Sequence, residues 1–97
     1  MDRIVYLSSL FDIYGNLLTE KEQLYFKDYY EENLSLAEIA ENYQISRNAV
    51  FKSLKKVEEK LEEYEKKLGL YQLKLKLKIL KDSNNIKNIK AGLEELI

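Results

Sequence analysis

An all-α fold of five to six helices is predicted by three observations. Proline is absent and glycine occurs only three times, while Leu, Glu and Lys dominate, so helix breakers are scarce and helix formers abundant. Apolar residues recur at steps of three and four. Two Ser/Thr-x-x-Glu boxes, Thr19 with Glu22 and Ser35 with Glu38, stand where helices should begin.

In chain order, the first helix is expected from Asp2, an acidic residue at its start, to about Tyr14. Ile4, Val5, Leu7, Leu10, Phe11 and Tyr14 form its apolar side, and Gly15-Asn16 ends it. The Thr19 box opens a second helix over about 19 to 32, turning Leu24, Tyr25, Tyr29 and Phe26 inward, where aromatic rings supply large burial. Asn33-Leu34 closes it. The Ser35 box starts a short third helix ending near Asn42. From Ser46 onward Val50, Leu54, Val57, Leu61, Tyr64 and Leu68 alternate steps of four and three, a heptad seam on a long fourth helix that ends near Gly69. The run Leu73 to Ile79 alternates strictly, as a strand would. With no other strand to pair with, and with Leu73, Leu77 and Leu80 also at helical spacing, it is read as helix. Ser83-Asn84-Asn85 breaks the chain, and Ile86, Ile89, Leu93 and Leu96 mark a last amphipathic helix.

Ninety-seven residues suffice for a single domain, 1–97, with a modest core. The absence of cysteine and histidine removes disulfides, thiol nucleophiles, imidazole catalysis and the usual zinc sites. With no phosphate loop either, no catalytic residue, cofactor or metal is expected, and the chain is read as no enzyme. No basic stretch precedes an apolar run at the N-terminus and no segment approaches the roughly 18 apolar residues of a membrane span, so a soluble, cytoplasmic protein without membrane insertion is expected. The net charge of −1 conceals a division: residues 1–45 carry three basic against nine acidic side chains, a balance of −6, whereas residues 46–97 carry thirteen against eight, a balance of +5. A polyanion is drawn to the second half.

Residues 35–54 carry the functional signal. Two helices crossing steeply need a small residue at the contact, supplied by Ala40, ringed by Ile39, Tyr43, Ile45, Val50 and Leu54. Ser46 then caps a helix whose first turns project Arg47, Asn48, Phe51, Lys52 and Lys55 outward. In a helix-turn-helix these positions face the major groove, where arginine can bond a guanine edge and asparagine an adenine edge. Arg47, Asn48, Phe51 and Lys52 are therefore the candidate base-facing set, with Lys55 and Lys56 as candidate phosphate contacts on double-stranded DNA. The plain alternative is a solvated helix start, with Phe51 packed on a neighbouring helix and the lysines paired to nearby glutamates.

Ile39-Ala40, Ile45-Ser46-Arg47 and Val50 resemble the helix-turn-helix in the fourth region of sigma factors. The match departs at Gln44, where glycine is frequent and a left-handed residue is expected, and at Ser53, which holds a usually apolar place. Taken over most of the chain, with Leu7, Phe11, Asp12, Tyr14-Gly15, Leu17 to Lys21, Tyr29 to Val50 and Glu63 to Tyr71, the sequence resembles the YlxM-type proteins. Those are small bacterial proteins with a sigma-like helix-turn-helix, their genes commonly beside those of the signal recognition particle. The resemblance implies a DNA-binding regulator or, in the alternative, an accessory that contacts protein or RNA components of that particle.

The apolar seam exceeds what one short helix can cover. A C-terminal oligomerisation region, 57–97, is expected, with Leu61, Tyr64, Leu68, Tyr71, Leu73 and Leu77 at a homodimer interface that would pair two recognition helices.

Overall fold

Every regular element in the computed structural model, which describes residues 2–83, is helical: α1 (Arg3–Tyr14), α2 (Glu20–Phe26), α3 (Leu36–Tyr43), α4 (Arg47–Leu68) and α5 (Leu70–Ser83). A 3-10 turn (Gly15–Leu17) follows α1, and α2 widens into a π turn (Lys27–Glu31). The last amphipathic segment expected at 86–96 lies outside the described residues, and Ser83, expected to break the chain, is still helical. No described helix is long and apolar enough to cross a membrane.

Local chemistry sets the helix starts. The Asp2 carboxylate accepts from the Ile4 N–H at 2.7 Å, and both boxes close. Thr19 N–H donates to Glu22 at 2.9 Å while Glu22 N–H donates to the Thr19 hydroxyl at 3.1 Å, and Ser35 and Glu38 repeat the pattern at 3.0 and 3.1 Å. Each box satisfies two backbone donors that a helix start leaves open. The helix ends use left-handed backbone: Asn33 at φ 57° after the π turn, Gln44 at φ 56° after α3, and Gly69 at φ 63° after α4.

Two apolar clusters hold these helices, and α4 runs through both. One gathers Tyr25, Ile39, Ala40, Val50 and Leu54, with Leu34, Leu36, Tyr43 and Ile45 packed on its edge. The other gathers Leu7, Leu10, Phe11, Tyr14, Leu18, Phe26, Val57, Leu61 and Tyr71. Adjacent residues of α2 serve different clusters: Tyr25 meets Tyr43 edge-on at 4.9 Å, and Phe26 stacks on Phe11 at 4.3 Å.

Several inward assignments are corrected by this packing. Ile4 and Val5 are exposed because the buried face of α1 is Leu7, Leu10, Phe11 and Tyr14, with Val5 on the opposite side and Ile4 at its edge. Leu24 and Tyr29 face solvent, since α2 turns the Tyr25–Phe26 edge inward and the π turn shifts the register after it. Leu68 is 55% exposed although it continues the seam; the buried residues at this end of α4 are Glu65 and, across the Gly69 turn, Tyr71. Leu61 at 0% and Tyr71 at 7% exposure are core residues of this chain, so neither can belong to an intermolecular face.

Between the seam positions Tyr64 and Leu68, α4 also buries Glu65, at 8% exposure. Its carboxylate accepts from the Tyr14 hydroxyl at 2.6 Å and from the N–H groups of Tyr71 at 3.0 Å and Gln72 at 3.2 Å. The Tyr14 oxygen in turn accepts from Leu70 N–H at 3.0 Å. One carboxylate and one phenol thus satisfy the first-turn donors of α5 and lock it to α1 and α4. Burial, reinforced by the hydrogen bond to Glu65, pushes the Tyr14 phenol up.

Candidate nucleic-acid interface

The helix-turn-helix is α3, the turn Gln44-Ile45-Ser46, and the first half of α4. Ile39 and Val50 are fully buried at its crossing and Ala40, at 7% exposure, supplies the small contact. The turn is closed by Ile45 N–H donating to the Ala40 carbonyl at 3.0 Å, which requires Gln44 in the left-handed region. For a residue with a Cβ that conformation costs on the order of 1 kcal/mol. Ser46 caps α4 by accepting from Ala49 N–H at 3.0 Å.

The frame is braced from outside the motif. Tyr43 donates its hydroxyl to Asp28 at 2.8 Å, tying α3 to the π turn, and that bond raises the Tyr43 phenol pKa. Lys60 reaches Glu22 at 2.7 Å, tying α4 to α2. Burial disfavours the Glu22 charge, but the bonds from Lys60 and Thr19 outweigh it and hold the carboxyl below the usual carboxylate range. Arg3 bridges Glu58 at 3.2 Å and Glu62 at 2.8 Å, fastening α1 along α4.

With Val50, Leu54 and Val57 turned into the core, the opposite side of α4 must carry Asn48, Lys52, Lys55 and Lys56, and all four are exposed. Arg47 and Phe51 flank them. Arg47, Asn48 and Phe51 join Leu36 of α3 around an open hollow of about 370 Å³. Phe51 is 52% exposed, so it is not packed away on a neighbouring helix. The sequence reading omitted Leu36 from this set; its place one residue after the Ser35 cap brings the start of α3 against the start of α4.

The cations along α4 differ in their pairing. Lys60 and Lys67 are paired, with Glu22 and Glu63. Arg47, Lys52, Lys55 and Lys56 make no ion pair among the described residues, and no acidic residue occurs between Glu41 and Glu58. The first three turns of α4 therefore present four unneutralised charges beside a planar amide and a ring. This arrangement can donate to phosphates and to base edges; it contains no nucleophile–base pair. No carboxylate cluster among the described residues could hold a metal ion.

Over residues 1–96 the chain matches the UPF0122 family, described as "Putative helix-turn-helix protein, YlxM / p13 like". A UPF0122 protein of Clostridium kluyveri is 40% identical over all 97 residues, which cover 79% of that protein. One from Shouchella clausii is 46% identical over 61 residues, 63% of this chain and 56% of the relative. One from Mycoplasma capricolum is 44% identical over 61 residues, covering 54% of its length. The match thus spans little more than half of the latter two relatives.

Proposed function

We propose that this chain, which belongs to the UPF0122 family of YlxM/p13-like helix-turn-helix proteins, binds double-stranded DNA through the first three turns of α4 and acts as a regulator. The observation that carries the reading is the set of four cations, Arg47, Lys52, Lys55 and Lys56, left unpaired on a helix start that also exposes Asn48 and Phe51. Arg47, Asn48, Phe51 and Lys52 face the bases. Lys55 and Lys56 hold phosphates, and the acid-free stretch from Asn42 to Val57 that leads up to them keeps the local field positive although the chain as a whole is not.

The same reading includes a homodimer. On α5, Tyr71 and Leu75 pack against the core, while Leu70, Leu73 and Leu77 lie on the opposite side; Leu70 is 42% and Leu77 45% exposed. With Leu68 and the half-buried Tyr64 they supply an apolar face for a second copy, which would present two recognition helices to two half-sites.

Selection of bound duplexes from a random pool tests the function. An enriched motif is expected, lost in Arg47→Ala, while Lys56→Ala weakens all duplexes alike and lowers the salt slope by about 1. Absence of duplex binding at low salt overturns the reading; binding of signal recognition particle RNA or protein in that case assigns the chain to the accessory class.

A further inference from the structure

A second cluster of donors lies beside the recognition helix, where α2 begins and the third turn of α4 passes it. Thr19, Lys21, Glu22, Tyr25, Ser53, Lys56 and Lys60 line a cavity of about 230 Å³ there. Lys21 and Lys56 have no carboxylate partner among the described residues, and the one acid in the wall, Glu22, is already engaged by Lys60 and the Thr19 N–H. Tyr25 is only 3% exposed, yet its hydroxyl has no hydrogen-bond partner among the described residues. The ring is buried while the oxygen stays open to solvent, so it can donate to a ligand in the cavity. Ser53, half-buried in the same wall, is likewise unpartnered there.

This wall offers ammonium and hydroxyl donors and almost no free acceptor, which suits a phosphate oxygen. Its position also fits. Lys56 is eight residues beyond Asn48, about 12 Å along the helix axis, comparable with the roughly 12 Å width of the major groove. We infer that this cavity seats a backbone phosphate of the duplex whose bases meet Arg47 and Asn48, with Lys21 and Tyr25 as its contacts from α2. The inference rests on the proposed DNA binding. It adds a second helix to the interface and gives a role to Lys21, a cation of the acidic half that the sequence reading left without one.

The test is binding of a 20-base-pair mixed-sequence duplex by the full chain across a salt series, for wild type, Lys21→Gln and Tyr25→Phe. Lys21→Gln is expected to weaken binding and to lower the salt slope by about 1. Tyr25→Phe keeps the ring that meets Tyr43 edge-on, so it is expected to fold as wild type while losing about tenfold in affinity with the salt slope unchanged. An unaltered slope in Lys21→Gln, or unaltered affinity in Tyr25→Phe, overturns the seat and leaves DNA binding standing. A wild type that binds no duplex removes both. At matched ionic strength, replacing chloride with inorganic phosphate should weaken duplex binding more in wild type than in Lys21→Gln, because free phosphate competes for the same seat; an equal effect on both, or none on either, overturns the inference.

Discussion

Glu65 is the side chain whose loss should be felt most widely. It accepts three hydrogen bonds, from the Tyr14 hydroxyl and from the Tyr71 and Gln72 N–H groups, in a site only 8% exposed. Hydrogen bonds to a charged acceptor contribute about 1.5–3 kcal/mol each, but three that share one carboxylate are not additive. Glu65→Ala strands two backbone donors and a buried phenol and opens a void, so a loss of about 3–5 kcal/mol is expected. Glu65→Gln keeps one acceptor oxygen and turns an NH₂ toward donors, for about 1–3 kcal/mol. Tyr14→Phe leaves the Leu70 N–H open and should cost a similar amount, and the Tyr14→Phe/Glu65→Gln double variant should cost less than the sum because the two groups form one network. Urea unfolding followed by circular dichroism measures the losses, and amide exchange at residues 70–72 localises them. A Glu65→Ala variant within about 0.5 kcal/mol of wild type, the range of an unremarkable surface change, would refute the account of how α5 is held.

Three further outcomes follow from particular contacts. Gln44→Gly should stabilise the fold by about 0.5–1 kcal/mol in urea unfolding, because the left-handed strain at φ 56° outweighs the entropy glycine adds to the unfolded chain. The Glu22 carboxyl, held low in the folded state, contributes stability that is fully present above the unfolded carboxylate value of about 4.3 and is lost as pH falls through the depressed folded value. Thermal unfolding of Glu22→Gln should accordingly depend less on pH in that window. The Tyr30 phenol is pushed up to about 12 by burial and by Glu58, so its contribution is complete below about pH 10 and disappears as pH rises toward 12; Tyr30→Phe should flatten the alkaline limb of the same measurement.

What could be read from the sequence was local chemistry. Thr19 with Glu22, Ser35 with Glu38, Ser46 and Gly69 each act within a few residues of themselves, and each lies where the pattern put it. The side chains at the helix crossing followed for the same reason, since Ile39, Ala40, Val50 and Leu54 are joined by a short turn. What depended on distant packing was not legible. Tyr25 and Phe26 are neighbours, but they feed two clusters, and no periodicity announces a helix gripped on two sides. Leu24 and Tyr29 satisfied a helical spacing and lost to that arrangement. The alternation of leucines in 73–79 looked like a strand because α5 carries apolar residues on two opposite faces, Leu75 inward and Leu73 and Leu77 away from it. Glu65 read as one more charge on a solvated face, and only the Gly69 turn, which folds the start of α5 back onto it, makes it a cap. The exposed set at the start of α4 was legible as positions; which lysines stay free was not, because the partner of Lys60 lies 38 residues away.

Because one unbroken α4 carries both the turns proposed to face DNA and the end of the apolar seam, the proposed dimer has restricted geometry. From Asn48 to Leu68 is twenty residues, about 30 Å along the axis. Half-sites in successive major grooves on one side of the duplex lie about 34–36 Å apart. Two α4 helices meeting near Leu68 put their Asn48 positions about 60 Å apart if they run end to end, and about 10 Å apart if they lie parallel. A 34 Å separation requires their axes to open at about 70°. A face shared between the last turn of α4 and the outer side of α5 can set such an angle, whereas a coiled coil through the α4 seam cannot, since Val57 and Leu61 are already core. The chain has no cysteine, so Asn48→Cys takes a single spin label, and pulsed electron resonance on that variant should give a distance near 35 Å. A distance near 10 or 60 Å would exclude simultaneous reading of adjacent grooves, and the lack of any dipolar signal would exclude the dimer.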